Sequence, residues 1–262
     1  MTSAEAARHK YDAIADRYEE MFFYVADLGQ RLIELADPKP GSRALDIGAG
    51  RGAVTRAALA RDCAVTAVDV SPRMMACLAT DYPAVDAYVM DIAHLDFPDA
   101  SFDLVTAGFV VQILPDLPAA LAEMHRVLTP GGVLALSLET QSIDRIRWLY
   151  ELFVEFFTPP GTAPPADAPG PLVDDRLDGL IDAAGFRART RESVEMPLAF
   201  PNPSALWDWL TPRGFTDAVQ RLPPDRAQAF HQRFLAAAQT IETNGAITLA
   251  FGATLHRAHK PD

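Results

Sequence analysis

LDIGAGRG, residues 45–52, decides the fold. RALDI (43–47) is a short apolar run and reads as a buried strand. VTRAALARD (54–62) reads as a helix, and Gly48, Gly50 and Gly52 fall between the two. Glycine at such a turn allows backbone angles that a Cβ forbids. It also lets a ligand approach the main chain against the N-terminus of the following helix. Three alternating glycines therefore mark a ligand-binding turn rather than a plain connector.

The same alternation continues outward. AVTAVDV (64–70), VDAYVM (85–90), FDLVTAGFVV (102–111) and VLALSLE (133–139) read as strands. Ser71-Pro72 opens a helix, with Ser as N-cap and Pro in the first turn. PDLPAALAEMHRVL (115–128) reads as another helix, stopped by Pro130-Gly131-Gly132. Strands and helices alternating at this pitch predict a parallel α/β sheet with helices on both faces. Residues 4–36 read as helical: Tyr11, Ile14, Ala15, Tyr18, Met21 and Phe22 make one apolar stripe. Past residue 140 the pattern changes to apolar helices, a Pro-rich stretch (158–171), a strand at 187–196 and a closing strand near 245–256. The expected organisation is a core at 1–140, a mostly helical cap at 141–240, and a closing strand and tail at 241–262.

The glycine loop alone does not identify the ligand. Gly48-x-Gly50-x-x-Ala53 fits the dinucleotide fingerprint in its Gly/Ala form, and Asp69 ends the second strand about 20 residues on. An acid there accepts ribose hydroxyls from NAD and from S-adenosylmethionine (SAM) alike.

The later segments separate the two. LDIGAGRG (45–52), AVDVSPRMM (67–75), MDIAHLDFPDASFDLV (90–105) and EMHRVLTPGGVLALS (123–137) resemble, in order, the motifs of class I SAM-dependent methyltransferases. The likeness is to the ubiquinone/menaquinone-methyltransferase-like branch used widely on small molecules. YDAIADRY (11–18) is similar to that family's N-terminal lid helix over the cofactor. The resemblance covers residues 8–140 well and 141–262 weakly. It implies a Rossmann-like seven-stranded sheet in the order 3-2-1-4-5-7-6, its last strand antiparallel, under a helical lid.

It also implies roles for single residues. Gly48, Ala49 and Gly50 would face the methionine part of SAM, and Asp46 would hold that loop or the amino group. Asp69 would accept both ribose hydroxyls, and Val70 would lie against adenine. Asp91 and Ile92 would read the adenine amino edge. Ala107 to Phe109 would floor the transfer site, and Tyr11 and Tyr18 would close over the SAM carboxylate. Asp103 reads as structural.

The chemistry beyond the cofactor is less legible. Methyl transfer needs an in-line, desolvated nucleophile and in some cases a base. Where many relatives carry a polar pair after the fourth strand, this chain has Val111-Gln112. Gln112 can hydrogen-bond but cannot act as a base. Glu139, just past the fifth strand, is the carboxylate best placed by topology. Phe23, Tyr24, Phe109, Gln112, Trp148, Phe200 and Trp207 are the candidates for a greasy substrate pocket. The resulting expectation is methylation of a hydrophobic small molecule, such as a polyketide. A cyclase that retains SAM for pericyclic ring closure is the main alternative, and a non-catalytic partner protein the third.

The net charge of −12, without a Lys/Arg cluster, argues against a nucleic-acid substrate. The start of the chain lacks the apolar segment of a signal peptide, and no apolar run approaches a membrane span. Cys63 and Cys77 read as buried thiols in a reducing cytoplasm, with no zinc-site neighbours. No metal is expected, and the oligomeric state stays open.

Overall fold

The computed structural model describes residues 3–141, 143–157, 172–211 and 215–262. The Pro-rich 158–171 stretch lies outside the described residues.

The N-terminal segment is not one helix. It runs as α1 (Ser3–Ile14), a 3-10 turn (Ala15–Arg17), α2 (Tyr18–Met21) and α3 (Val25–Ala36). The apolar stripe is real, but the chain redirects twice along it. Asp37 ends α3 in the left-handed region, at φ 48°.

The βα alternation follows. β1 (Arg43–Ile47) leads into α4 (Ala53–Leu59), and β2 (Ala64–Asp69) into α5 (Pro72–Asp81). Ser71 caps α5 by accepting from the Met74 N–H at 3.1 Å. β3 (Asp86–Val89), β4 (Phe102–Gly108), α6 (Leu117–Val127) and β5 (Leu128–Gln141) come next. Asp116 caps α6 through the Ala119 N–H. The remaining elements are α7 (Ile143–Phe157), α8 (Asp174–Ala183), β6 (Arg187–Phe200), α9 (Pro203–Leu210), α10 (Phe215–Gln220), α11 (Pro224–Thr240) and β7 (Ile247–His259).

The seven strands form one sheet in the order β3-β2-β1-β4-β5-β7-β6. The pairs β1–β2, β2–β3, β1–β4 and β4–β5 are parallel. The start of β5 meets the end of β7, where the Gly131 N–H donates to Lys260 O and the Lys260 N–H to Gly132 O. That is the pattern of antiparallel neighbours. Pro130-Gly131-Gly132 thus sits inside a strand, with a register shift opposite Phe102–Leu104, rather than only stopping a helix. Lys260 Nζ meanwhile takes the His125 and Leu128 carbonyls at the end of α6, at 2.8 and 2.7 Å.

The chain divides into two compact units. The first holds residues 1–139, 171–194 and 253–262, and the second residues 140–170 and 195–252. The second unit is smaller than the 141–240 span read from the sequence, because α8 belongs to the first. Leu177, Ile181 and Phe186 are fully buried in the cluster that also holds Leu45, Val105 and Leu121. The second unit has an aromatic core of its own. Trp207 packs on Phe230 and Phe234, Trp148 on Phe234, and Phe200 on Trp209. Among the described residues no helix is long and apolar enough to cross a membrane.

α8 is fastened to the sheet through charge. His256, fully buried on β7, sets Nδ1 3.0 Å from Asp178 Oδ1 and Nε2 3.2 Å from Asp174 Oδ1. The other oxygen of Asp178 accepts from Arg189 and Arg191 on β6, and the Thr254 hydroxyl donates to Asp174. Removing Asp178 leaves the buried His256 ring and the two arginines without their common partner. Asp178→Ala is expected to cost about 1–3 kcal/mol, which a lowered urea-unfolding midpoint will show.

Candidate functional site

The sheet order reverses between β1 and β4, and there the carboxyl ends of the strands open into a cleft of about 1030 Å³. Ligands of open α/β sheets bind at such switch points. Its walls are the strand-end residues Ile47-Gly48, Val68-Asp69-Val70, Met90 to Ala93 and Gly108 to Val110. Ala4, Ala7 and Tyr11, on one face of α1, line it too. A second cavity of about 710 Å³ lies beside α3 and α4, lined by Phe22, Phe23, Val54, Arg56 and Ser137 among others. The two share Tyr18, Gly48, Gly108 and Phe109.

The glycine loop has the predicted geometry. Gly48 sits at φ 62°, and a Cβ there would lie 2.3 Å from Val110 Cγ2. Asp46, just before it, is only 2% exposed. Its oxygens accept from Thr55 at 2.7 Å and Thr106 at 3.0 Å. Both bonds tie the end of β1 to α4 and β4. Burial pushes the Asp46 pKa up to about 6 despite the threonine hydrogen bonds. Ala49 is nearly buried, donates its N–H to Val68 O, and lines the second cavity.

Asp69 accepts from the Gly50 N–H at 3.0 Å and the Ser71 N–H at 2.8 Å, one on each oxygen. These bonds fix the carboxylate plane at the cleft, and burial raises its pKa. Asp91 accepts from the Ala93 N–H at 3.0 Å, so it caps its own turn as well as lining the cleft. Val70 and Ile92 line the cleft with it. That loop is pinned from behind. Glu123 accepts the Leu95 N–H, while Arg126 donates to the Leu95 and Phe97 carbonyls and to Asp99. Asp103 is structural as expected, paired with both the main chain and the guanidinium of Arg43.

Within the Ala107–Phe109 stretch, alternation along β4 turns Ala107 into the core, where it is fully buried and lines neither cavity, while Gly108 and Phe109 line both. Phe109 is held at φ 58°, an uncommon conformation for a residue with a side chain. Its N–H donates to Ser137 Oγ at 2.9 Å, and its ring meets Tyr24 edge-on at 6.2 Å. Met74, Met90 and Ala93 also line the cleft.

The other candidates divide by unit. Phe23, 55% exposed, lines the second cavity, and Tyr24 is buried behind Phe109. Trp148, Phe200 and Trp207 are engaged in the second unit's own core. Gln112 has its side-chain oxygen buried with no hydrogen-bond partner among the described residues. Glu139 is on the same face of β5 as Ser137, two residues on. Tyr11 is held protonated, its pKa pushed up to about 12 by burial and then by the charges of Asp69 and Glu139. No group of three metal-binding side chains occurs among the described residues.

Residues 45–136 match the Methyltransferase domain family. A demethylmenaquinone methyltransferase of Lysinibacillus sphaericus is 31% identical over 170 residues, covering 60% of this chain and 73% of that one. The chain belongs to the class I SAM-dependent methyltransferase superfamily. SAM is its cofactor, and the cleft suits it: a two-oxygen acceptor at Asp69, an apolar slot from Val70 to Ala93, and a glycine wall without room for a Cβ. Nocamycin O-methyltransferase of Saccharothrix syringae is 29% identical over 92% of this chain and 94% of its own length. A malonyl-[acyl-carrier protein] O-methyltransferase of Serratia marcescens is 37% identical, but the chain spans only 56% of its length.

Two solved structures share the fold. Phosphoethanolamine N-methyltransferase 2 of Haemonchus contortus, in complex with S-adenosylhomocysteine (SAH), aligns at a TM-score of 0.59 and 18% identity, covering 96% of this chain and 58% of that one. The [4+2]-cyclase SpnF aligns at 0.54 and 21%, covering 90% and 80%.

Two outcomes test this geometry. Asp46 binds its proton more tightly folded than unfolded, so its burial makes stability fall as pH rises from about 4 to about 6, with no further change above. Asp46→Asn should flatten that part of the pH–stability curve in urea titrations. Asp69→Ala should weaken SAH binding by about 10- to 100-fold in calorimetry, since ribose hydroxyls would lose a charged acceptor.

Proposed function

We propose that this enzyme methylates a hydrophobic small molecule, a secondary metabolite of polyketide type, in the cytoplasm. The observation that carries the reading is the end-to-end similarity to nocamycin O-methyltransferase, which extends through the second unit where the domain match stops. Exposed apolar side chains at the cavities support it: Phe23 at 55% on one, Ile113 at 49% on the other. The cytoplasmic assignment is supported by two free thiols, Cys63 and Cys77.

When bound, SAM supplies a methyl group already activated on a sulfonium. What remains for the protein is positioning and exclusion of water. In this reading Asp69 holds the ribose, Val70 and Ile92 flank the adenine, and Asp91 reads its edge. The Gly48 and Gly50 backbone faces the methionine part. Tyr11 and Tyr18 roof it, with the protonated Tyr11 hydroxyl as a donor. The Phe109 ring forms the wall against which the acceptor is aligned. Glu139 is the candidate base and Gln112 the candidate acceptor of a substrate hydrogen bond.

Ring closure without methyl transfer is the competing outcome, given the shared fold with the [4+2]-cyclase. Deleting the gene in its host and weighing the accumulated metabolite separates them. An intermediate lighter than the product by one methylene unit is expected. An intermediate of equal mass would overturn the methyl-transfer reading.

A further inference from the structure

We propose that Asp12 is a positioning residue for the adenosyl ligand: it latches the roof helix α1 to the N-terminus of α5, directly behind Asp69. The proposal rests on reading the larger cleft as the SAM site.

The geometry begins with one face of α1. Ala4, Ala7 and Tyr11 recur at spacings of three and four and line the cleft. Asp12 follows on the neighbouring face. Its Oδ1 accepts from the Ser71 hydroxyl at 2.5 Å and from the Arg73 N–H at 3.2 Å. Ser71 is fully buried, and its N–H is one of the two donors that fix Asp69. Three residues thus form one chain of contacts, from the roof through Ser71 to the carboxylate at the ribose position.

The arrangement runs against simple electrostatics. In a chain of net charge −12, a second carboxylate beside Asp69 is repelled by it, and Asp12 is one of the causes that raise Asp69's pKa. Asp12 is nevertheless held, because the positive end of α5, a buried hydroxyl and a main-chain N–H all point at it. These contacts hold the ionised form, and the Ser71 hydrogen bond lowers its pKa. The next turn is tied down as well. Arg51, inside the glycine loop, donates to the Ala15 carbonyl at 3.1 Å, whereas Asp16 makes only an exposed pair with Arg73. Asp12 and Ala15 are therefore anchored on the two loops that flank Asp69, while Ala4, Ala7 and Tyr11 extend from that anchor over the cleft. A ligand in the cleft leaves only after this roof lifts, so the strength of the latch sets its residence time.

The test follows SAH leaving the protein, by stopped-flow displacement, for wild type, Asp12→Asn, Asp12→Ala and Asp16→Ala. Asp12→Ala is expected to release SAH about tenfold faster, with association changed less than about threefold. Asp12→Asn, which keeps an acceptor for Ser71 without the charge, should fall between. Asp16→Ala removes only an exposed pair and should stay within about twofold of wild type. SAH should also slow tryptic cleavage at Arg8 and Lys10 in the wild type and no longer do so in Asp12→Ala. A purely structural role would lower stability without separating the two rate constants. Release rates of Asp12→Ala and Asp12→Asn within about twofold of wild type would overturn the latch while leaving the site assignment standing. Absence of SAH binding to the wild type would overturn the site assignment itself, and the latch with it.

Discussion

A carboxylate with almost no access to solvent holds the working end of this sheet together. Asp46 is the penultimate residue of β1, Thr55 stands on the helix after the glycine loop, and Thr106 lies on β4. Each threonine gives its hydroxyl to one Asp46 oxygen, so three elements meet on one side chain. Burying that charge is unfavourable, and the raised pKa records the penalty. What it secures is geometric. The loop from Gly48 to Gly52 is bound on one side to the strand that precedes the switch point and on the other to β4, which ends in Gly108 and Phe109. The two walls that share the cavities are thereby fixed relative to one another.

The remaining walls are fixed by similar polar clamps placed behind the cleft. Asp69 is oriented by two main-chain donors, one from each flanking loop. The Asp91 turn is held by its own Asx bond, and the segment after it by Glu123 and Arg126. Phe109 illustrates what such clamps permit. A left-handed conformation costs a residue with a Cβ about 1–2 kcal/mol. Here the Ser137 hydroxyl accepts its N–H, and the Tyr24 ring meets its side chain edge-on. The strain is small beside the surrounding order, and the result is a ring turned into the wall common to both cavities.

How much of this the sequence discloses depends on how local the cause is. The glycine turn, the Ser71 cap, the acidic end of β2 and the βα alternation are written in neighbouring residues, and so are legible. The seven-strand order came by resemblance and matches the sheet. The breaks in the N-terminal segment were not legible, because periodicity reports which face is apolar and not where the axis turns. Within the stretch from Ala107 to Phe109 only the last two residues line the cavities, because one residue along a strand reverses the face. The buried His256–Asp174–Asp178 cluster joins positions 78 and 82 apart, so nothing local in either segment announces it. α8 joins the first unit through the same cluster: its helical stripe is plain, but His256 on β7 stands 78 residues on from Asp178.

The aromatic residues past 140 show a further consequence of that limit. Their number suggested a greasy pocket, and most large aromatics in any fold are spent on packing. Trp148, Phe200 and Trp207 do pack, each against another ring of the second unit. An aromatic side chain is informative about substrate only where packing leaves it uncovered beside a cavity; Phe23 on the second cavity meets that condition, whereas the exposed Tyr88 lines neither cavity. The polar clamps on backbone turns and carboxylates are encoded in local motifs, whereas the exposure of an apolar surface is decided by the tertiary structure.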